Sequence, residues 1–290
     1  MLSCILTAAR EPDTIGAALR GLIDQEWPEP YELLVVCPDD ATAAVVRSFA
    51  CTNPSIRLLR DRGEGKPAAL NLAIGEARGA ICLFTDGDVV VEHGAVAALI
   101  EPFADPRCGA VSGRPMSANS PSTMLGYWSH LLTDAGAHAV RARRSAEGGY
   151  FDCSGYLFAA RRKLLPEVPP DTLADDAHIS QRVYEKGYQL VYAPAARVTV
   201  RYPTTYSDWI LQKRRSTAGA ALAARPMRSL RREASLGIRP MLRYPRTPQQ
   251  YWWMLCLLAA RVHLWTLVWI ELHVRRRAHT EVWRRVESTK

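Results

Sequence analysis

Two carboxylates two positions apart, in Asp86-Gly87-Asp88, follow directly on the apolar run Ala80-Ile81-Cys82-Leu83-Phe84. A run of this length fits a buried strand, and in α/β domains ligands sit at the carboxyl ends of such strands. Oxygen donors from Asp86 and Asp88 suit a hard divalent cation, Mg²⁺ or Mn²⁺, which can bridge to a diphosphate. Gly87 is expected to turn the backbone sharply enough for both side chains to face one ion. The same triplet also suits a surface turn. A calcium-loop reading fails, because Val89-Val90-Val91 follows where an Asp/Asn ladder and a closing Glu are needed. A second pair of acids, Asp175-Asp176, opens a helix-like stretch over residues 177–186. Capping of free helical amides explains one of them, and the other has the chemistry of a general base if it faces a cleft.

Positioning these acids requires a scaffold, and strand and helix signals alternate through the first 200 residues. Strands are expected at residues 2–6, 31–37, 56–59 and 80–84, with helices at 14–23 and 67–78 between them. This is the βαβ rhythm of an α/β fold with a mostly parallel sheet. Strands are also expected at 110–112 and 156–160, and a closing pair at 189–192 and 197–200. Residues 124–144 read as helical, with Tyr127, Trp128, Leu131 and Leu132 followed by Arg141, Arg143 and Arg144. Such a helix would pack in a core, lie over the site or lie on a membrane. Gly148-Gly149 suggests a mobile connection after it. No internal repeat or low-complexity tract is present.

Composition narrows the class of protein. The 290 residues, 48% of them apolar, suffice for one large α/β domain and an accessory region. Seven scattered cysteines with no Cys-x-x-Cys pair suit reduced, buried thiols in a cytosolic compartment, not a zinc site. The net charge of +8 is uneven: residues 1–200 carry 19 Lys and Arg against 24 Asp and Glu, and residues 201–290 carry 18 against 5. The basic tail also holds Tyr251-Trp252-Trp253-Met254-Leu255 and Leu264-Trp265-Thr266-Leu267-Val268-Trp269-Ile270, which points to an anionic membrane surface and not to nucleic acid. The amino terminus shows no signal peptide.

An Arg-rich stretch at residues 220–232 precedes a helix start, with Thr247 as N-cap, Pro248 at the first helical position and Gln250 at the third. Residues 251–274 are long enough to span a bilayer, yet Arg261 sits near their middle at a cost of about 2.5–3.5 kcal/mol. Basic flanks on both sides (Arg239, Arg243, Arg246; Arg275 to Arg277, Arg284, Arg285) favour a helix lying in the interface over a span. An apolar helix packed on the protein is the other reading.

Over residues 2–216 the chain resembles the inverting nucleotide-sugar glycosyltransferases of family 2, which have the GT-A fold. The matching segments occur in the family's order. Leu2 to Glu11 looks like the opening strand and Asn-Glu turn, with Arg10 in place of Asn. Residues 31–39 look like the second strand, with Asp39 or Asp40 as its nucleotide-contacting acid. Gly65-Lys66-Pro67-Ala68-Ala69-Leu70-Asn71 is similar to the Gly-Lys…Ala-Leu-Asn segment, Asp86-Gly87-Asp88 takes the DxD position and Asp175-Asp176 the Glu-Asp position.

The resemblance implies that Glu11 and Asp39 hold the nucleoside. It implies that Asp86 and Asp88 place the sugar diphosphate through a divalent cation and that Asp176 is the catalytic base. Lys66 would face the donor, or be a solvated surface charge. Gly155 matches a segment near the acceptor. Gln212-Lys213-Arg214-Arg215-Ser216 resembles the Gln-x-x-Arg-Trp motif of membrane-bound polymer synthases, so Gln212 and Arg215 would contact diphosphate or acceptor. Ser216, standing where Trp is expected, argues against processive polymerisation.

The expected protein is thus a metal-dependent transferase with a nucleotide-diphosphate sugar as donor and a lipid-linked or envelope-glycan hydroxyl as acceptor. It has a catalytic domain at residues 1–219 and a membrane-association region at 220–290, and it works at the cytoplasmic face of a membrane. A processive synthase, a nucleotidyltransferase and an inactive membrane-bound binding module are the alternatives. Ala8-Ala9-Arg10-Glu11 lacks the Gly-rich basic loop that the nucleotidyltransferase would need.

Overall fold

A computed structural model describes residues 1–222 and 240–270, with side chains at 215, 216 and 218–222 excepted. In chain order the elements are β1 (Leu2–Thr7), α1 (Ile15–Ile23), β2 (Tyr31–Val36), α2 (Asp40–Ala50), β3 (Ile56–Leu59), α3 (Lys66–Glu76), β4 (Ile81–Asp86) and β5 (Val89–Val91). They continue with α4 (Ala95–Ile100), β6 (Cys108–Ser117), α5 (Met124–His130), α6 (Ala139–Ala146), β7 (Leu157–Arg161), α7 (Asp175–Glu185), β8 (Gln189–Val200), α8 (Tyr206–Leu222) and α9 (Pro248–Ile270). A wide-turn π stretch, Leu131–His138, joins α5 to α6. The described residues form two compact units: 1–115 with 141–200, and 116–140 with 201–222 and 240–270.

The first unit is built on an eight-stranded sheet in the order β3-β2-β1-β4-β7-β6-β8-β5. The first four are parallel neighbours, whereas β7 joins β4 and β6 antiparallel and β5 joins β8 antiparallel. The sheet is therefore mixed, with its parallel half where the βαβ rhythm predicts it. β1 lies between β2 and β4 and is buried along its whole length, as expected of an apolar strand covered on both faces. Phe84 and Phe158 stand opposite each other across the β4/β7 ladder and stack with centroids 4.6 Å apart.

Only Gly87 and Asp88 separate β4 from β5, yet β5 is the last strand of the sheet. The sheet must curl until that strand lies against α1, where Gly21 approaches so closely that a Cβ would come within 3.1 Å of the Val91 carbonyl oxygen. Residues 189–192 and 197–200, expected as two strands, are one continuous β8, with Pro194 exposed within it.

The second unit is helical. Tyr127, Trp128 and Leu131 pack with Trp209 and Ile210 of α8 and with Met254, Leu257 and Leu264 of α9. The Trp128 indole Nε1 donates to the Trp253 carbonyl (2.7 Å) and its ring meets Trp209 edge-on at 5.3 Å. Thr247 Oγ1 accepts from the Gln250 amide (3.3 Å), and Gln250 Oε1 accepts from the Arg246 amide (2.7 Å), so the helix start read from sequence forms. Most of the Arg-rich stretch at 220–232, and Arg239, Arg275 to Arg277, Arg284 and Arg285, lie outside the described residues.

Candidate active site

The acids of the first unit meet at the carboxyl edge of its parallel strands. Asp86 ends β4 in register with Thr7 at the end of β1, and the Thr7 hydroxyl donates to Asp86 Oδ1 (3.1 Å). The Gly87 amide donates to the Thr7 carbonyl (3.0 Å), which fixes the turn on β1. Gly87 does not owe its place to a left-handed backbone, because it is not among the positive-φ residues. The reason is space: a Cβ there would stand 2.5 Å from Glu11 Oε2 and 2.7 Å from the Ala8 Cβ. Glycine thus lets the buried Glu11 close onto the turn between Asp86 and Asp88.

Lys66, the first residue of α3, follows Gly65 at φ 103°, a left-handed conformation that favours glycine. Its ammonium lies 2.8 Å from Asp86 Oδ1 and 3.6 Å from Asp175 Oδ2, with side-chain exposures of 30%, 25% and 15%. It is therefore a bridge between the two acid motifs, which excludes the solvated-charge alternative. Desolvation alone would lower the Lys66 pKa, but the charges of Asp175 and Asp86 outweigh it and hold the ammonium above its ordinary range.

Asp175 and Asp176 open α7. The Asp176 carboxylate accepts from the Ala177 amide at Oδ1 (2.8 Å) and from the Gly155 amide at Oδ2 (2.8 Å). A Cβ at Gly155 would lie 3.0 Å from that same Oδ2 and push the carboxylate back by a few tenths of an ångström. The segment carrying Gly155 is bound to its surroundings by the Cys153 amide on Ser180 Oγ (3.0 Å) and the Ser154 amide on Ser112 Oγ (2.9 Å). Desolvation, followed by the charges of Asp175 and Asp152, pushes the Asp176 pKa up to about 6, against a smaller opposing effect of Lys66. A carboxyl titrating there can exchange a proton near neutrality.

Asp39 is the N-cap of α2. Its Oδ1 accepts from the Thr42 amide (2.9 Å) and its Oδ2 from the Arg10 amide (2.7 Å), while Thr42 Oγ1 accepts from the Glu11 amide (2.9 Å). Desolvation would raise the Asp39 pKa, but these amide bonds prevail and lower it. Asp39 thereby ties the loop after β1 to α2, and Arg10 takes φ 57°, which is uncommon for a residue other than glycine, asparagine or aspartate. Asp40 faces away into an exposed pair with Arg60 (2.9 Å). Asn71 uses both ends of its amide on the Val168 backbone (2.8 and 2.9 Å), a structural clasp.

Thr7, Thr42 and Asp152 were not singled out from sequence. Thr7 could have been found as the residue that parallel pairing of β1 with β4 sets beside Asp86; Asp152 gave no local signal. Gln212 lies on α8 in the second unit, where its Oε1 is buried without a hydrogen-bond partner among the described residues. The backbone of Arg215 belongs to the same helix, and its side chain lies outside those described.

The donor set fits a divalent cation. Asp86 and Asp88 supply hard oxygens, and the Lys66 ammonium already stands among carboxylates as a cation would. Among the described residues no three His, Cys, Asp or Glu side chains form a protein-only cage. Mg²⁺ and Mn²⁺ sites built from one or two carboxylates plus substrate phosphates need none.

The profile of the glycosyltransferase-like family 2 matches residues 2–219. The chain belongs to this family. As a family 2 member it is 26% identical over 235 residues to the probable glycosyltransferase YdaM of Bacillus subtilis, covering 75% of this chain and 54% of that protein. It is 25% identical over 224 residues to the poly-β-1,6-N-acetyl-D-glucosamine synthase of Staphylococcus aureus, with the same coverage. The chain thus spans about half the length of the curated relatives it matches. Among solved structures, the mannosyltransferase PcManGT of Pyrobaculum calidifontis, in complex with GDP-Man and Mn²⁺, superposes with a TM-score of 0.64 at 23% identity. That superposition covers 97% of this chain and 83% of the other, and the family 2 sheet is that of the GT-A fold.

Proposed function

We propose that this family 2 chain transfers one sugar from a nucleotide-diphosphate sugar, with inversion, to a hydroxyl of a lipid-linked or envelope-glycan acceptor at a membrane surface. The observation that carries this reading is the convergence of both acid motifs on one ammonium: Asp86 and Asp175 on Lys66, with Asp176 beside them and titrating near 6. Asp176 takes the proton of the acceptor hydroxyl as its oxygen attacks the anomeric carbon, and the bond from that carbon to the diphosphate oxygen breaks on the opposite face. Asp86 and Asp88 would hold a divalent cation, which would supply charge stabilisation to the departing nucleoside diphosphate. Lys66 adds a positive charge at the same edge. Glu11 and Asp39 hold the nucleoside, and the Gln212-x-x-Arg215 segment keeps the role of contacting diphosphate or acceptor. The GDP-Man and Mn²⁺ bound by PcManGT support the donor class and the cation.

Residues 1–219 form the catalytic portion in this reading and 220–290 the membrane-association region, at the cytoplasmic face. Seven free cysteines, five of them buried, support a reducing compartment. A processive synthase is the second reading, favoured by the Staphylococcus relative; Ser216 at the position expected to be Trp favours single transfer.

The test is incubation of the purified protein and Mn²⁺ with a panel of UDP-, GDP- and dTDP-sugars and candidate acceptors. Transfer that is lost on chelation and in Asp88→Asn and Asp176→Asn supports the assignment, and undiminished transfer by either variant overturns the roles given. Ligand-detected thermal shifts across the same panel identify the nucleotide.

A further inference from the structure

We propose that α9 lies flat in the headgroup boundary of an anionic bilayer, one long side docked on its own unit and the other in the acyl edge, and does not cross the membrane. This rests on the reading of the protein as one that works at a membrane surface and deepens it. Met254, Leu257, Ala260, Leu264 and Val268 are buried against the second unit. On the other side, Leu255, Leu258, Val262 and Trp265 are 54%, 49%, 60% and 55% exposed. At ~100° per residue these four fall within about 80° of one another, so they form one straight stripe along the helix. A contiguous apolar face of this kind marks an interaction site.

The neighbours of the buried side argue against a span. That side is held at Trp253 by the Trp128 indole, and the Tyr206 hydroxyl reaches the exposed His263 (2.9 Å to Nδ1) at its margin. The elements behind it meet α9 with apolar side chains but also carry polar and charged ones: α8 has Gln212, Lys213 and Arg214, and the π stretch has Asp134, bonded by the Tyr244 hydroxyl (3.3 Å). Threading α9 through hydrocarbon would carry these groups with it, at about 2.5–3.5 kcal/mol for each charge near the centre. A flat helix leaves them on the protein side.

Charge selects the occupant. α9 has no Asp or Glu, Arg243 and Arg246 precede it, and the Arg261 guanidinium stands over the Trp265 ring (5.6 Å to its centroid) at the margin of the stripe. Amphipathic helices with arginine and tryptophan at the margin suit anionic headgroups over acyl chains. A second copy placed on the same face would bring like charges together.

Two measurements on the full chain test this. In flotation with phosphatidylcholine vesicles with or without phosphatidylglycerol, the protein should bind the anionic vesicles more tightly. The triple variant Leu258→Ser, Val262→Ser, Trp265→Ser should bind them at least about tenfold more weakly with unchanged circular dichroism. Equal binding by variant and parent, or a concentration-dependent dimer that the variant abolishes while the parent ignores vesicles, overturns the proposal.

For depth, Cys51→Ser and Cys256→Ser leave the five buried thiols. Single cysteines introduced as Leu255→Cys, Leu258→Cys, Val262→Cys or Thr266→Cys then carry a fluorophore quenched by lipids labelled at known depths. A common shallow depth is expected; a steady gradient along the helix means a span and overturns the flat placement. Transfer to a soluble acceptor, measured on the same samples, separates failure of this placement from failure of the transferase reading.

Discussion

Opposite edges of one sheet treat a hydrogen-bonded acid in opposite ways. At the amino edge Glu32, in register with Ser3 on β1, accepts from the Ser3 hydroxyl (2.7 Å), the Arg78 amide (2.7 Å) and the Arg57 guanidinium (2.7 Å). Desolvation would raise its pKa, but the three bonds outweigh it and hold it below the ordinary value. At the carboxyl edge Asp176 also accepts two amides, yet desolvation and the neighbouring Asp175 and Asp152 lift it to about 6. Both acids are held in place, and what differs is charge balance. Arg57 bridges the buried Glu32 and the exposed Glu76 (2.9 Å), so Glu32 meets no second acid in the interior, whereas Lys66 lies between Asp86 and Asp175 and only partly offsets the acids around Asp176. A balanced buried acid serves the fold, and a crowded one is poised to hold or release a proton.

The widest separation is expected from neutralising each acid in turn. Asp176→Asn should lower the transfer rate about 10³-fold, as loss of a general base does, while the unfolding midpoint above pH 6 holds or rises, because a crowded charge is removed. Glu32→Gln should leave the rate of the folded fraction intact but cost about 2 kcal/mol of stability, because the Ser3, Arg78 and Arg57 donors lose the charge they share, while Arg57 keeps Glu76. Parallel rate and urea-unfolding measurements on the two variants decide it; a Glu32 variant with impaired turnover and normal stability would break the contrast.

The strands of both edges were legible because a buried strand reads as an apolar run, and Leu2 to Thr7 and Ile81 to Phe84 are nearly continuous ones. α2 was not: Asp40–Ala50 is rich in small residues and buries few of them. β5 was hidden because Val89-Val90-Val91 served only to reject a calcium loop, and a three-residue edge strand is defined by pairing with β8 over a hundred positions away. The acids themselves could be named from their motifs. Their charge balance could not, since it depends on Lys66 reaching Asp86 and Asp175 through the fold, and on Asp152 arriving beside Asp176 by way of a loop.

That dependence sets the next effect. With Asp176 ionising near 6, transfer should fall as pH drops below 6, where the proposed base becomes protonated. Lys66→Met removes the ammonium that favours ionisation, so the acid limb should move to higher pH, and the activity ratio of variant to parent should worsen about fivefold between pH 8 and pH 6. Stability follows the opposite signs of the two edges. The raised Asp176 pKa contributes stability that is present below the unfolded-state value and is lost as pH rises through about 6. The lowered Glu32 pKa contributes stability present above the unfolded-state value and lost as pH falls through the folded one. Unfolding midpoints of Lys66→Met should therefore fall further behind the parent at pH 8 than at pH 5. A pH-independent gap would mean that Lys66 does not govern the acid cluster.

The smallest effect concerns Asp39, which shares features of both edges: it stands at the carboxyl edge, yet its oxygens are satisfied like those of Glu32. Its amide bonds to Thr42 and Arg10 make it a cap and a tether, and the resemblance makes it a nucleoside contact as well. Asparagine can cap almost as well as aspartate, and alanine cannot. Asp39→Ala should cost about 1 kcal/mol and loosen the loop that carries Glu11. Asp39→Asn keeps one acceptor oxygen for the Thr42 amide but has none left for the Arg10 amide, so it should recover only part of the unfolding midpoint. If the carboxylate also touches the nucleoside, donor KM should stay raised in Asp39→Asn beyond what the lost tether explains, as judged against Thr42→Ala, which loosens the same loop. If KM in Asp39→Asn is no higher than in Thr42→Ala, the residue is a cap and tether alone and belongs with Glu32 among the acids that serve the fold.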